Sequence, residues 1–326
     1  MSISAKAVSE LRKSTGAGMM DCKEALKESG GDIDGALDWL RKKGQKVAAK
    51  RADRDANEGI VVAKTNEAGS TGIVMAVSCE TDFVAKNDGF IEFADSLAQL
   101  ALDKLPETKE EFVALEFDGA IVAEKLIEKT GTIGEKLEIS GYHKVIGESI
   151  ASYIHAGSKI GVLVNYKAGG NAEASGFFRS VAMHIAAMAP TIMRPEELDL
   201  EFVKKETEAL QAQIKAENEL NESENLGKAI KMIPEFGSRL QMTPEVVTAA
   251  EAKIKEELAA EGKPEKIWDK IVPGKLERYI SDNSQLDQTY CLLSQVYALD
   301  DSKTVAQAVE DMGGVELVEF KRVAVG

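Results

Sequence analysis

The sequence predicts an α+β fold, and three features of its patterning carry that expectation. Apolar residues in the first 54 positions recur at helical spacing between glycine breaks. From Gly59 the period falls to two, and these strand-like runs alternate with helical segments. After Pro195 a long charged stretch returns to helix with little strand signal.

The opening module reads as three short helices. Ser4 can cap a helix with Val8 and Leu11 on one face, which Thr15-Gly16-Ala17-Gly18 then breaks. Met19, Cys22 and Leu26 form one stripe of a second helix, ended by Gly30-Gly31. Asp32 is a good N-cap for a third helix carrying Ile33, Leu37 and Leu40. Residues 44–57, rich in Lys and Arg, read as a tether. Met19 and Met20 are adjacent, so they point about 100° apart and cannot both face one small core. One of them is expected at the surface, where a flexible thioether suits an adaptable binding patch, with Arg12 and Lys23 at its rim.

Residues 60–65 and 72–79 read as two strands joined by the turn residues Asn66-Glu67-Ala68-Gly69-Ser70. The second strand runs into Glu80-Thr81-Asp82-Phe83-Val84-Ala85-Lys86-Asn87, a short connection to a helix near Phe90. A loop held by a strand behind and a helix ahead is a natural place to present functional side chains, although Phe is usually buried and Asp before a helix is often only a cap. The helix from Phe90 to Lys104 shows Phe90, Phe93, Leu97 and Leu100 on one face; residues 107–130 read as helical and charged. Strands are then expected over 133–139, 149–155 and 160–166, with a helix over 172–188. Gly161-Val162-Leu163-Val164 follows Gly72-Ile73-Val74-Met75 by 89 residues, and Gly176-Phe177 follows Gly89-Phe90 by 87. That near-constant offset predicts two related α+β subdomains with antiparallel sheets.

Residues 195–262 hold 16 acidic and 8 basic residues, which predicts a solvated helical excursion, an antiparallel pair broken near Pro234 and Pro244. A last helix carries Ile267, Trp268, Ile271 and Leu276. Residues 291–297 and 315–325 read as strands that complete the second sheet, around a short helix over 304–311. The expected domains are 1–54, 55–141, 142–195 together with 275–326, and an excursion over 196–274.

The net charge of −15 over 326 residues argues against general affinity for nucleic acid, whose phosphates need a basic face. Residues 1–54 nevertheless hold 12 Lys/Arg against 8 Asp/Glu, so a basic head sits on an acidic body and can steer an acidic partner. Three scattered cysteines, Cys22, Cys79 and Cys291, predict no disulfide framework, and no apolar run suggests a signal peptide or membrane span; a cytoplasmic protein is expected. No phosphate-binding loop, complete nucleophile elbow or metal-like spacing of His143, His155 and His184 is visible, and no carboxylate pair stands in an apolar setting. An enzyme is therefore not expected, and no cofactor is implied.

Residues 11–26, Leu-Arg-Lys-Ser-Thr-Gly-Ala-Gly-Met-Met-Asp-Cys-Lys-Glu-Ala-Leu, and 79–86, Cys-Glu-Thr-Asp-Phe-Val-Ala-Lys, resemble two signature stretches of the translation elongation factor Ts family. The resemblance continues through 155–164, 183–187, 262–265 and 302–305. It implies a guanine nucleotide exchange factor for the GTPase elongation factor Tu, with a three-helix ubiquitin-associated-like head, two related core subdomains, a projecting coiled coil and a short C-terminal module. It further implies that Asp82 and Phe83 intrude near the partner's nucleotide and Mg2+. Arg12, Met19, Met20 and Lys23 then match head contacts, and Arg51, Ile133, Gly134 and His155 further contacts, in a 1:1 or 2:2 complex. Ala156, between His155 and Gly157, departs from the family pattern, and residues 215–255 exceed the shorter members, which implies an enlarged helical projection. The alternative is a ubiquitin-associated-like scaffold that binds a protein without exchanging nucleotide.

Overall fold

Ser4 begins the first helix by accepting the Ala7 backbone N–H, at 3.1 Å, in the computed structural model, which describes residues 3–155, 157–224 and 227–326. Helix α1 (Ala5–Thr15) ends on Gly16 in the left-handed region, α2 (Met19–Glu28) follows, and Asp32 caps α3 (Ile33–Arg51). The head closes around Leu11, Cys22, Ala25, Leu26 and Ala36. Two expected stripes shift. Met19 is exposed, so Cys22, Ala25 and Leu26 form the buried face of α2; Ile33 and Leu37 are exposed, and α3 turns Ala36 inward.

The expected tether is helix as far as Arg51. Lys and Arg are good helix formers, and tertiary contact holds this half of α3. Its buried Gly44 crosses the helix Val122–Ile133 at Gly131, where the two backbones meet so closely that a Cβ on Gly131 would stand 2.4 Å from the Gly44 Cα.

In the first sheet β1 (Glu58–Thr65) pairs antiparallel with β2 (Thr71–Cys79), and Asn66 closes the turn by accepting the backbone N–H of Ser70 and Thr71. A single turn, α4 (Asp82–Ala85), leads into α5 (Asp88–Lys104), whose Phe90, Phe93 and Leu97 lie in the core. The segment expected as one charged helix divides into α6 (Lys109–Val113), a small hairpin of β3 (Glu116–Phe117) and β4 (Ala120–Ile121), and α7 (Val122–Ile133). The strand expected over 133–139 starts later, as β5 (Glu138–Ile146), and pairs with β2. It was hard to see because Ile139 and Tyr142 face the helices while Val145 faces the other sheet; a bulge near Ser140 further disturbs the alternation. The domain boundary expected after residue 141 falls inside β5.

The second sheet is built alike. β6 (Ser149–His155) and β7 (Ile160–Lys167) form a hairpin, α8 (Ala174–Met188) packs Phe178 on Tyr166, and β10 (Glu316–Ala324) completes the order β10-β7-β6. The sheets meet through Val61, Val74, Ala76, Val145, Ile150, Leu163 and Val323. Gly161 lies at that contact, where a Cβ would come within 2.5 Å of Val61. Gly72 likewise faces Ile150 and Leu163. Gly72 and Gly161, one of the two glycine pairs that mark the sequence repeat, are thus places where the sheets approach.

These elements form one compact unit, Met1–Ala186 with Gly314–Gly326, and Ala187–Gly313 forms a second. The second holds α9 (Leu200–Ser223), α10 (Pro244–Ala260), α11 (Trp268–Asp282), α12 (Gln285–Tyr290), a short ladder of β8 (Val296–Tyr297) and β9 (Asp300–Thr304), and α13 (Val305–Asp311). Pro244 starts α10, a position where its missing N–H costs nothing, and does not interrupt a helix. The buried helix pair is α10 with α11, joined by Ile254, Leu258 and Val272. The strand expected over 291–297 opens with a 3-10 turn over Leu292–Ser294 and is strand only at Val296–Tyr297, and residues 275–313 cluster with 187–274. Among the described residues no helix is long and apolar enough to cross a membrane.

The Gly44/Gly131 crossing is directly testable. Gly131→Ala should lower the thermal midpoint through an overpacking cost of about 1–3 kcal/mol. Gly44→Ala, whose Cβ meets only ordinary contact near the Ile127 carbonyl, should be close to neutral because helix propensity offsets it. Thermal unfolding of both variants by circular dichroism checks the contrast.

Candidate functional site

The site forms where β2 leaves the core. Cys79 is buried, and its Sγ–H donates to the Thr81 carbonyl at 3.2 Å. Burial, then the Glu135 charge, pushes this thiol up to about 11, so it stays neutral and is a structural group. Thr81 accepts the Val84 N–H at 3.5 Å and so caps α4, and Asn87 accepts the Phe90 N–H to start α5. The single turn of α4 separates its side chains by about 100° each. Ala85 is buried and Val84 packs against the core, whereas Phe83 is 83% exposed. Asp82 is half-buried and pairs with Lys86 at 2.6 Å. The Lys86 hydrogen bond and charge hold the Asp82 carboxyl below its usual range, so the turn presents an aromatic ring beside a carboxylate.

Two further carboxylates grip this turn from behind. Glu80 accepts two hydrogen bonds from Arg51 Nη1, at 2.7 and 2.8 Å, and the Lys136 backbone N–H at 2.7 Å; Arg54 lies 3.8 Å away. Burial pushes the Glu80 carboxyl up, but the Lys136 N–H and Arg51 outweigh it and hold it below 4.5. Glu135 accepts the Thr81 N–H at 3.0 Å and the Thr81 hydroxyl at 2.7 Å. Gly134, left-handed with φ 84°, ends α7 and turns the chain so that Glu135 and Lys136 face β2.

The structure therefore brings Arg51, Asp82, Phe83, Ile133 and Gly134 to one place. Ile133 is half-buried against the first core, and the Arg51 guanidinium is engaged by Glu80. The β6–β7 turn lies at the same end of the sheet: Lys159 pairs with Glu58, donates to the Gly59 carbonyl at 3.2 Å, and its charge reaches Asp82. His155, at the end of β6, is exposed and its Nδ1 lies 2.8 Å from the Tyr153 hydroxyl. Ala156, the departure from the family pattern, lies outside the described residues. Arg12, Met19, Met20 and Lys23 form a separate exposed group on α1 and α2, with Met19 58% and Met20 72% exposed. Neighbouring residues of a helix point about 100° apart, and here neither methionine joins the core.

Glu80, Thr81, Glu135 and Lys136 were not singled out from the sequence. Glu80 and Thr81 lie inside a recognisable motif, but nothing in sequence marks their partners, which stand 54 to 56 positions away. A cavity of about 590 Å³ lies between α2, α3, α5 and α7, and several of the charges that line it pair with one another, Lys43 with Asp21 and Arg41 with Glu128. Among the described residues no group of three or more His, Cys, Asp or Glu is arranged to hold a metal ion.

The family model described as Elongation factor TS matches residues 80–232 and 221–326. Elongation factor Ts of Rhodopirellula baltica is 64% identical over 324 residues, 99% of each chain. That of Flavobacterium johnsoniae is 47% identical over 324 residues, again 99% of each, and that of Campylobacter fetus 43% over 337 residues, 100% of this chain and 95% of the relative. The match to the Rhodopirellula protein spans residues 215–255 as well, so the long helical region is not peculiar to this chain.

The lowered Glu80 carboxyl predicts a pH dependence. A carboxyl with a depressed folded value stabilises the fold fully above its unfolded value and loses that contribution as pH falls through the folded one. Glu80→Gln should therefore be less stable than the parent at neutral pH by about 1–3 kcal/mol. The gap should close as pH drops below 4.5. Thermal midpoints measured from pH 7 to pH 3 check both the sign and the window.

Proposed function

Because the chain belongs to the elongation factor Ts family, we propose that it is a guanine nucleotide exchange factor that binds elongation factor Tu carrying GDP and speeds GDP release during translation elongation. The observation that carries this assignment at the site is Phe83, an aromatic ring held in water on a capped turn beside the Asp82 carboxylate.

Exchange by a protein that performs no covalent step is a matter of linkage. A factor that binds the nucleotide-free partner more tightly than the loaded one weakens nucleotide binding by the same factor. Phe83 enters a pocket of the partner, where burying its ring contributes about 2 to 3 kcal/mol. Asp82 exchanges its solvent-screened pairing with Lys86 for a position near the partner's nucleotide. Its charge there opposes the phosphates and disturbs the water shell that the partner's Mg2+ needs for octahedral coordination. Met19 and Met20, rimmed by Arg12 and Lys23, bind the partner's nucleotide-binding domain. Ile133, Gly134 and His155 extend the contact from the core. Holding the partner at several places makes insertion of the turn effectively intramolecular.

The division of labour predicts opposite kinetic signatures. Phe83→Ala should slow GDP release at saturating factor about 30- to 150-fold, the rate equivalent of the lost burial, and leave the half-saturating concentration little changed. Met19→Ala/Met20→Ala should raise the half-saturating concentration and spare the maximal rate. Release of fluorescent GDP from elongation factor Tu, followed over a range of factor concentrations, separates the two; a Phe83→Ala protein indistinguishable from the parent would sink the wedge role.

A further inference from the structure

We propose that Glu135 is a positioning residue for exchange, acting through Thr81 to set the pose of the Asp82–Phe83 turn. This rests on the wedge role assigned above to that turn.

The contact is a reciprocal clasp between two dipeptides. Glu135 accepts the backbone N–H of Thr81, at 3.0 Å, and Glu80 accepts the backbone N–H of Lys136, at 2.7 Å. Each carboxylate satisfies a donor on the other segment, and hydrogen bonds to an ionised acceptor are about twice as strong as neutral ones. Arg51 closes the clasp behind Glu80, so its guanidinium serves the turn from within and is less available to a partner than resemblance alone implies.

The second Glu135 contact transmits orientation. A hydroxyl has one proton and two lone pairs, and donating that proton to Glu135, at 2.7 Å, leaves the Thr81 oxygen free to accept the Val84 N–H. That acceptor caps α4, and α4 decides which side chains face the core. The chain of cause runs from Glu135 to the Thr81 hydroxyl, to the Val84 N–H, to the turn, and ends with Val84 packed inward and Phe83 in water. Without Glu135 the hydroxyl is free to rotate, the cap weakens, and an exposed ring beside an apolar core has every reason to fold inward. Glu135 itself never has to touch the partner.

The test is fluorescent GDP release from elongation factor Tu at varied concentrations of the full-length factor. Glu135→Ala should lower the maximal rate about tenfold and leave the half-saturating concentration within about threefold, since misplacement by around 1 Å is costly to rate. Glu135→Gln, which keeps one acceptor for Thr81, should recover part of the loss. In a protein already carrying Asp82→Ala and Phe83→Ala, adding Glu135→Ala should change the rate less than about twofold, because residues that act as a unit are not additive. Equal losses in both backgrounds would show a merely structural effect and overturn the proposal. Asp82→Ala/Phe83→Ala that exchanges slowly, beside Glu135→Ala that exchanges normally, would overturn the positioning role and leave the wedge standing. Asp82→Ala/Phe83→Ala at the parental rate would overturn the wedge and the positioning role with it. If Glu135→Ala does not fold, Thr81→Val cuts the hydroxyl relay from its other end, and the same comparison of backgrounds decides.

Discussion

Keeping a phenylalanine in water next to a hydrophobic core is the constraint on which the functional end of this molecule depends. Phe83 would gain by burial, and the first core lies one residue away at Val84. What prevents collapse is local geometry. The single turn of α4 assigns Val84 and Ala85 to the inside, so Phe83 has no inward path unless the turn itself unwinds. A helix of one turn has little stability of its own, since nucleation fixes several dihedrals for one hydrogen bond. Its persistence must come from the flanks, where Thr81 and Glu135 hold the first end and the Asn87 N–H, donating to the Val84 carbonyl at 3.0 Å, holds the second.

The same constraint explains why the basic half of α3 is a packed helix. If Gly44–Arg51 were a loose tether, Arg51 would reach Glu80 only at the cost of ordering a flexible segment. Docking at the Gly44/Gly131 crossing removes most of that cost before the ion pair forms, and α7, the helix that receives α3, also delivers Glu135 through its Gly134 cap. Head, turn and α7 are therefore mechanically one body. On the proposed contact at Met19 and Met20, a partner would meet a wedge whose position is already set relative to that contact.

Local signals carried much of the architecture into the sequence. Ser4 and Asp32 cap helices where their side chains suggested it, and the Gly72/Gly161 offset reflects two sheets of the same connectivity meeting at those glycines. The misses share a physical cause. β5 buries both faces, so its apolar spacing is neither two nor 3.6; α3 is held by a glycine contact that has no hydrophobic signature; and α10 pairs with α11, which only tertiary packing decides. Asp82 and Phe83 stood out through the resemblance of residues 79–86 to a family signature, since an acid and an aromatic on a loop read by themselves as an ordinary turn. Glu135 did not, because one more glutamate among 55 acidic residues has no local mark.

Exposed side chains without a pocket suit a protein that acts on another protein's site. A pocket stabilises whatever enters it, whereas exchange requires that one bound ligand be made less stable, and the coupling is limited by how differently the factor binds the two states. A pliant wedge would bend to fit the nucleotide-loaded partner almost as well as the empty one, and the difference would shrink. On the proposed wedge role, a turn clasped by two carboxylates resists such bending, so the misfit falls on the partner and its nucleotide. On that proposed role, the hydrogen bonds at Thr81 are then a source of the coupling, and the element that supplies it need be no larger than a few such bonds at the end of one strand.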